Sequence, residues 1–192
     1  MLSYQHGYHA GNMADVHKHA VLAAALDYMT RKDKPLSYLD THAGRGVYDL
    51  AAPEAVKTGE AAQGIGRLER GFAADHPYLH ALQVARARFG PSAYPGSPLV
   101  AAALLRPGDK IHLCERHPAE LAALEAAMGP LGVRVHGGDG YRLAKALLPP
   151  DPRRGVVMID PSYETAADYA DMPAFVAGVV RRWNVGVVVL WY

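Results

Sequence analysis

The chain has a single cysteine, Cys114, among 192 residues, which excludes an internal disulfide framework and any metal site built from several thiolates. It has no run approaching the roughly 20 apolar residues that span a bilayer. Its first residues, Met1-Leu2-Ser3-Tyr4-Gln5-His6, lack the charged-then-apolar order of a secretion signal. A cytoplasmic protein without a membrane partner is expected. An excess of one charge is missing too: 20 Lys and Arg against 19 Asp and Glu leave +1, so composition alone does not announce a nucleic-acid binder. The basic pairs Arg31-Lys32, Arg153-Arg154 and Arg181-Arg182 read as solvated surface. Two nucleotide signatures are absent. Gly44-Arg45-Gly46-Val47-Tyr48-Asp49 has no third glycine of G-x-G-x-x-G, and no Gly-Lys-Ser/Thr of a phosphate loop exists.

What is present is ordinary for one folded domain with an insertion: half of the residues are hydrophobic and a fifth are charged. Residues Tyr4 to Gly11 show no periodicity and read as an irregular tail. Asp15 opens a helix through about Met29, with Val16, Ala20, Ala23 and Ala24 on one face, and Lys34-Pro35 ends it. Apolar strands follow at Leu36 to Asp40, Lys110 to Cys114, Val133 to His136, Val156 to Ile159 and Gly186 to Trp191. Helices over Pro118 to Met128, Tyr141 to Leu147 and Pro173 to Trp183 separate the last four strands. This alternation predicts an α/β fold with a mostly parallel sheet and crossover helices. Residues 47 to 109 exceed what one crossover needs. Gly64 to Phe72 and Tyr78 to Phe89 look helical within them, which predicts a small helical insertion. Trp191-Tyr192 stops at the tip of a strand, so the last strands of the sheet are expected to be missing.

The strand ends carry the chemistry. Asp40 leads into Gly44-Arg45-Gly46, where glycine lets the backbone approach a ligand closely. Glu115 closes the next strand, where a carboxylate can accept both hydroxyls of a ribose. Gly137-Gly138-Asp139-Gly140 closes the third. Open α/β sheets bind ligands at this end of their strands. Three acids there would repel a pyrophosphate but suit a cofactor with a positive centre and no phosphate, such as S-adenosylmethionine. The fourth end is Asp160-Pro161-Ser162-Tyr163. Pro161 has no N–H and a fixed φ, so the strand cannot continue through it. The Asp160 carboxylate and the Pro161 carbonyl could accept the two N–H groups of a nucleobase amine and turn its lone pair toward a methyl donor. Tyr163 could stack on the base, worth about 1–3 kcal/mol.

The pattern Met1-Leu2-Ser3-Tyr4, His9-Ala10-Gly11-Asn12 and Asp15 with Lys18-His19 is unusual. Together with Leu39-Asp40-Thr41-His42-Ala43-Gly44, Tyr94-Pro95-Gly96-Ser97-Pro98 and Ile159-Asp160-Pro161, it closely resembles the RlmJ family of bacterial enzymes, which methylate N6 of an adenine in 23S ribosomal RNA. The likeness runs over the whole chain. It implies a Rossmann-like class I methyltransferase fold: residues 1–46 start the domain, 47–96 form a helical insertion and 97–192 form the remainder. It implies S-adenosylmethionine as cofactor, leaving as S-adenosylhomocysteine, with contacts from His19, His42, Ser97, Glu115, Asp139, Gly140 and Asp160 beside the Gly44 turn. Asp160, Pro161 and Tyr163 would be catalytic, and Tyr4, Lys18 and Tyr163 would meet the RNA substrate. A monomer without a metal is expected; His6/His9 and His17/His19 alone would read as exposed polar residues or a weak metal pair. The family's usual Asp-Pro-Pro-Tyr departs here at Ser162, which loosens one backbone constraint on Tyr163. Family members also continue past the Trp-Tyr strand.

Other readings use the same residues. An Asp-Pro clamp also serves a DNA adenine or a protein glutamine. A nicotinamide-dependent oxidoreductase and a non-catalytic RNA-binding module are the readings from other classes.

Overall fold

The computed structural model describes residues 6–164 and 166–192. In chain order its elements are α1 (Met13–Thr30), β1 (Ser37–Asp40), β2 (Val47–Asp49), α2 (Pro53–Thr58), α3 (Glu60–Gln63), α4 (Ile65–Leu68), α5 (Pro77–Phe89), β3 (Ala93–Pro95), α6 (Ser97–Leu104), β4 (Lys110–Glu115), α7 (Pro118–Met128), β5 (Arg134–Gly137), α8 (Gly140–Leu147), β6 (Gly155–Ile159), α9 (Ala166–Arg182) and β7 (Val187–Leu190). The described residues fall into two units, 33–44 with 106–192 and 6–32 with 45–105.

The first unit holds a five-stranded sheet in the order β5-β4-β1-β6-β7, parallel at every pairing. Parallel strands covered on both faces must be apolar nearly throughout, and β1 and β6 are buried at every position. The buried polar ends of β1 are hydrogen-bonded, Ser37 to the Pro152 carbonyl and Asp40 to the Tyr38 hydroxyl, and the edge strand β5, Arg-Val-His-Gly, has its two ends exposed. Chain order reverses between β1 and β6, since β4 and β5 build out on one side and β6 and β7 on the other. This is the doubly wound, Rossmann-like arrangement. It opens a crevice at the carboxyl ends of the two strands where the order reverses. Leu39, Val157 and Ile159 pack with Met172, Phe175, Val179 and Trp183 of the α9 region.

The second unit is mainly helical. Its α1, α5 and α6 pack on one another, burying Leu22, Leu26, Ala81, Leu82, Ala85 and Leu99 completely. A two-stranded antiparallel ribbon pairs β2 with β3, setting Tyr48 opposite Tyr94. The insertion expected over 47–96 lies inside this unit, which also takes in residues 6–32 and 97–105.

Most expected elements appear within one or two residues of their forecast ends, and the differences have local causes. Helix α9 starts at Ala166 rather than Pro173, which sits inside it. The buried sequence Met172, Phe175, Val179, Trp183 keeps helical spacing through the proline, and that packing outweighs the lost hydrogen bond. The helix expected over Gly64 to Phe72 is broken into α4 and a 3₁₀ turn over Glu69–Gly71. Gly64 cannot carry a side chain there, because a Cβ would overlap the Gly11 carbonyl oxygen. The ribbon strands are three residues each and α2 to α4 are at most six, too short for periodicity to reveal. Of the expected tail, Tyr4 lies outside the described residues, and His6–Tyr8 forms a 3₁₀ turn.

The β1–β6 pairing sets Gly155 against Ser37 so closely that a Cβ on Gly155 would overlap the Ser37 carbonyl oxygen. Gly155→Ala is therefore expected to part the two central strands and destabilise by about 1–3 kcal/mol. A lower urea midpoint would register it, and an unchanged midpoint would show that the strands can yield.

Candidate active site

The crevice between the ends of β1 and β6 is built first from backbone. Thr41 extends β1 by one bond, its N–H donating to the Met158 carbonyl at 3.1 Å. Its hydroxyl donates to the same oxygen at 3.0 Å. Asp40, completely buried, does not reach into the crevice. Its Oδ2 accepts the Tyr38 hydroxyl at 2.9 Å and its Oδ1 accepts the His42 N–H at 3.2 Å. The first acid of the sequence pattern is thus spent on holding the turn that presents His42.

His42 is where the strand ends converge. Its ring meets Tyr141 of α8 edge-on, with centroids 5.1 Å apart, and it feels the charges of Asp160, Asp139 and Asp168. Burial pushes its pKa down to about 4, and the three carboxylates only partly oppose that. The ring is neutral near pH 7. Its Nδ1 lies 2.8 Å from Thr41 Oγ1, a hydrogen bond that orients the ring.

The turn after β1 is locked to the end of β4. Gly44, at φ 59, donates its N–H to Glu115 Oε2 at 2.8 Å. Glu115 Oε1 accepts from the N–H groups of Arg116 and His117, each at 2.7 Å. Three of about four acceptor positions are in use, which leaves one on Oε2 rather than the open pair expected for two ribose hydroxyls. Asp139 caps α8, accepting the Arg142 N–H at 3.0 Å. Gly140 follows it, and only glycine fits, since a Cβ would overlap the Thr41 carbonyl oxygen. The β5–α8 turn is thereby pressed against the β1 turn.

Asp160 stands one residue past β6, partly exposed, and Pro161 is buried. Tyr163 has φ 50, a left-handed conformation that is costly for an aromatic residue. Two contacts hold it there: its hydroxyl donates to the Trp191 carbonyl at 3.0 Å, and its ring lies 4.4 Å from that of Tyr169. Ser162 is exposed, so the departure from the family motif alters no buried packing.

His19, Lys18 and Ser97 belong to the other unit. Asn12 caps α1 and its amide donates to Glu60 Oε2 at 3.0 Å, while His9 Nδ1 meets Glu60 Oε1 at 3.0 Å. Asp15, nearly inaccessible, meets Lys18 Nζ and His6 Nε2 at 3.0 and 2.8 Å and accepts the Gly11 N–H at 3.0 Å. Burial alone would raise its carboxyl, but the charges of His6 and Lys18 hold it well below the usual carboxylate range. His19 is buried with Nδ1 3.0 Å from the Tyr94 hydroxyl, which accepts from Tyr78 at 2.8 Å. Burial pushes His19 down to about 3. Ser97 is buried at the first turn of α6. Tyr4 lies outside the described residues.

Sequence reasoning missed Thr41, Tyr141 and Asp168 around His42, and the Tyr78–Tyr94 pair behind His19. Thr41 and Tyr94 carried a signal, as letters of the Leu39-Asp40-Thr41-His42-Ala43-Gly44 and Tyr94-Pro95-Gly96-Ser97-Pro98 motifs.

Two outcomes follow for these groups. Nitrogen-15 NMR of His42 should show a ring that is neutral near pH 7 and titrates near pH 4; a midpoint near 6.5 would mean a solvated ring. Folded His42 and His19 resist a proton that unfolded histidine accepts below about 6.5. Their stability contribution is therefore complete above that pH and is lost as pH falls toward 4 and 3. Asp15→Asn should destabilise by about 3–5 kcal/mol by breaking a buried pair, read by urea unfolding at pH 7. A loss below about 1 kcal/mol would place the pair in water.

A family model described as "Ribosomal RNA large subunit methyltransferase D, RlmJ" matches residues 33–192. The protein named ribosomal RNA large subunit methyltransferase J of Escherichia coli K12 is 40% identical over 196 residues, covering all of this chain and 70% of that relative. Its namesake from Haemophilus influenzae is 40% identical over 197 residues, with the same coverage. Among solved structures, protein LPL1258 of Legionella pneumophila superposes with a TM-score of 0.83 at 38% identity, over 96% of this chain and 69% of that one. With its crevice at the β1–β6 reversal and these relatives along its whole length, the chain belongs to the RlmJ family of ribosomal RNA large subunit methyltransferases.

Proposed function

We propose that this chain transfers the methyl group of S-adenosylmethionine to the N6 amino group of an adenine in 23S ribosomal RNA. The observation that carries the reading is Asp160-Pro161 at the carboxyl end of β6, beside the neutral His42 and across the strand reversal from the Gly44 turn. Family membership gives the reaction class and the RNA partner.

The donor set suits such a cofactor. Gly44 leaves the turn without a side chain, Glu115 Oε2 keeps one acceptor position for a ribose hydroxyl, and His42 offers a neutral ring edge. Asp139 and Gly140 line the adjoining turn, and His19 and Ser97 are further contacts. When bound, the cofactor supplies an electrophilic methyl group on a positive sulfur.

The chain's own residues orient the amine. Its lone pair is delocalised into the adenine ring, so it is a poor nucleophile. The Asp160 carboxylate and the Pro161 carbonyl accept its two N–H bonds and turn the lone pair out of the ring plane, mainly an orientation effect. The nitrogen becomes acidic only as its new bond forms, so Asp160 need not be a strong base. Tyr163, pinned in its left-handed conformation by Trp191 and Tyr169, offers its ring to the base. Tyr4 and Lys18 serve the RNA substrate.

Transfer of labelled methyl to unmodified ribosomal RNA tests this, wild type against Asp160→Ala. Turnover should fall at least about a hundredfold while calorimetric binding of S-adenosylmethionine is largely kept. Unchanged turnover would sink the mechanism. Labelling of DNA in place of RNA would move the substrate, and binding of NAD(H) without S-adenosylmethionine would overturn the reaction class.

A further inference from the structure

Between α8 and α9 lies a cleft of about 630 Å³ that no step above uses. Its floor is apolar: Leu148, Met172, Phe175 and Val179 are core residues whose edges it exposes. One end adjoins the crevice. Tyr141 lines the cleft there and touches both Phe175 and His42, at centroid distances of 4.6 and 5.1 Å. Asp168 lines the same end and acts on the His42 ring. The other end is cationic. Lys145 in the last turn of α8 and Arg181 and Arg182 in the last turn of α9 are all exposed. None of the three has an ion-pair partner among the described residues, and Arg182 instead donates to the Lys145 carbonyl.

Cations at helix carboxyl ends offset the helix dipole, but each end presents only about half a negative charge. Two ends therefore account for about one unit of the three positive charges. The excess faces a groove with an aromatic wall, and that combination suits a polyanion carrying flat bases. Along α9, Asp168 and Arg181 are separated by a rise of about 20 Å at 1.5 Å per residue. One strand of a duplex advances about 3.4 Å per phosphate, so the cationic end lies several nucleotides away from the crevice.

We propose that the α8–α9 cleft docks the RNA strand flanking the target adenine, with Lys145, Arg181 and Arg182 on its phosphates. This rests on the RNA reading of the crevice. Asp168 and Asp171 repel phosphate at the near end, so uncharged base edges pass there and phosphates are held only at the far end.

The test compares wild type with Lys145→Gln/Arg181→Gln/Arg182→Gln, and with Lys145→Arg/Arg181→Lys/Arg182→Lys, which keeps the charge. Methyl transfer to unmodified ribosomal RNA is measured across a salt series, with direct RNA binding and S-adenosylmethionine binding on the same samples. Neutralisation should raise KM for RNA at least about tenfold, leave kcat within about twofold, and flatten the log–log salt dependence of RNA binding by about 2 units, at roughly 0.7 per phosphate. Cofactor binding should not change, and the charge-keeping variant should hold near-wild-type KM. A folded neutral variant with unchanged KM and salt slope overturns the proposal and assigns the three cations to neutralising helix ends. If the wild type binds cofactor but methylates no RNA, the functional reading fails by itself. The salt slope of direct binding then still decides the cleft: a flatter slope in the neutral variant supports it, and an equal slope overturns it.

Discussion

The close parallel pairing of β1 with β6 is the constraint on which the rest depends. Both strands are buried at every position, and Gly155 supplies the missing Cβ that lets them approach. Because chain order reverses between them, no helix connection crosses their shared carboxyl end, and a crevice opens there. Thr41 carries the pairing one residue further by sending both its N–H and its hydroxyl to the Met158 carbonyl. The same hydroxyl lies 2.8 Å from His42 Nδ1, so the pairing that opens the crevice also orients the ring that lines it.

Charge in this region is arranged by burial as much as by residue type. Asp40 is an acid in the sequence but an internal strut in the fold, with partners on both oxygens. Glu115 commits most of its acceptor capacity to the backbone of its neighbours. His42 stays neutral near pH 7 because burial penalises its charged form, and the carboxylates of Asp160, Asp139 and Asp168 only partly oppose that.

How much of this could be read from residues follows from the range of the interactions involved. Strand β6 was legible because it is apolar over its own length, and β1 and β4 because of their short apolar cores Tyr38-Leu39 and Leu113-Cys114. The acids and glycines after them are then local in sequence, so the crevice was legible too. The antiparallel ribbon was not, because three residues carry no period and Tyr48 meets Tyr94 only through the fold. The amino-terminal pattern stood out as unusual, but its physical content rests on partners far along the chain. His9 and Asn12 both bind Glu60, about fifty residues away, and His19 leans on Tyr94, which itself accepts from Tyr78. The sequence places a helix only from Pro173, whereas the apolar stripe through Met172 and Phe175 carries α9 past the proline to Ala166.

A net charge of +1 also hid how the charges are distributed. The basic pairs looked alike in sequence, but the fold gives them different work. Arg154 donates to the Lys34 carbonyl, where Arg106 also donates, and the Arg153 carbonyl accepts from the Trp183 indole. Those contacts secure the amino-terminal edge of the sheet. Arg181 and Arg182, joined by Lys145, keep their guanidinium and ammonium groups exposed, and none of the three has an ion-pair partner among the described residues. Acids gather instead around His42, at the opposite end of the same helix pair. A protein nearly neutral overall thus carries a cationic end and an acidic end on one helix pair. What governs association is the local field over each surface, and its sum over the whole chain conceals it.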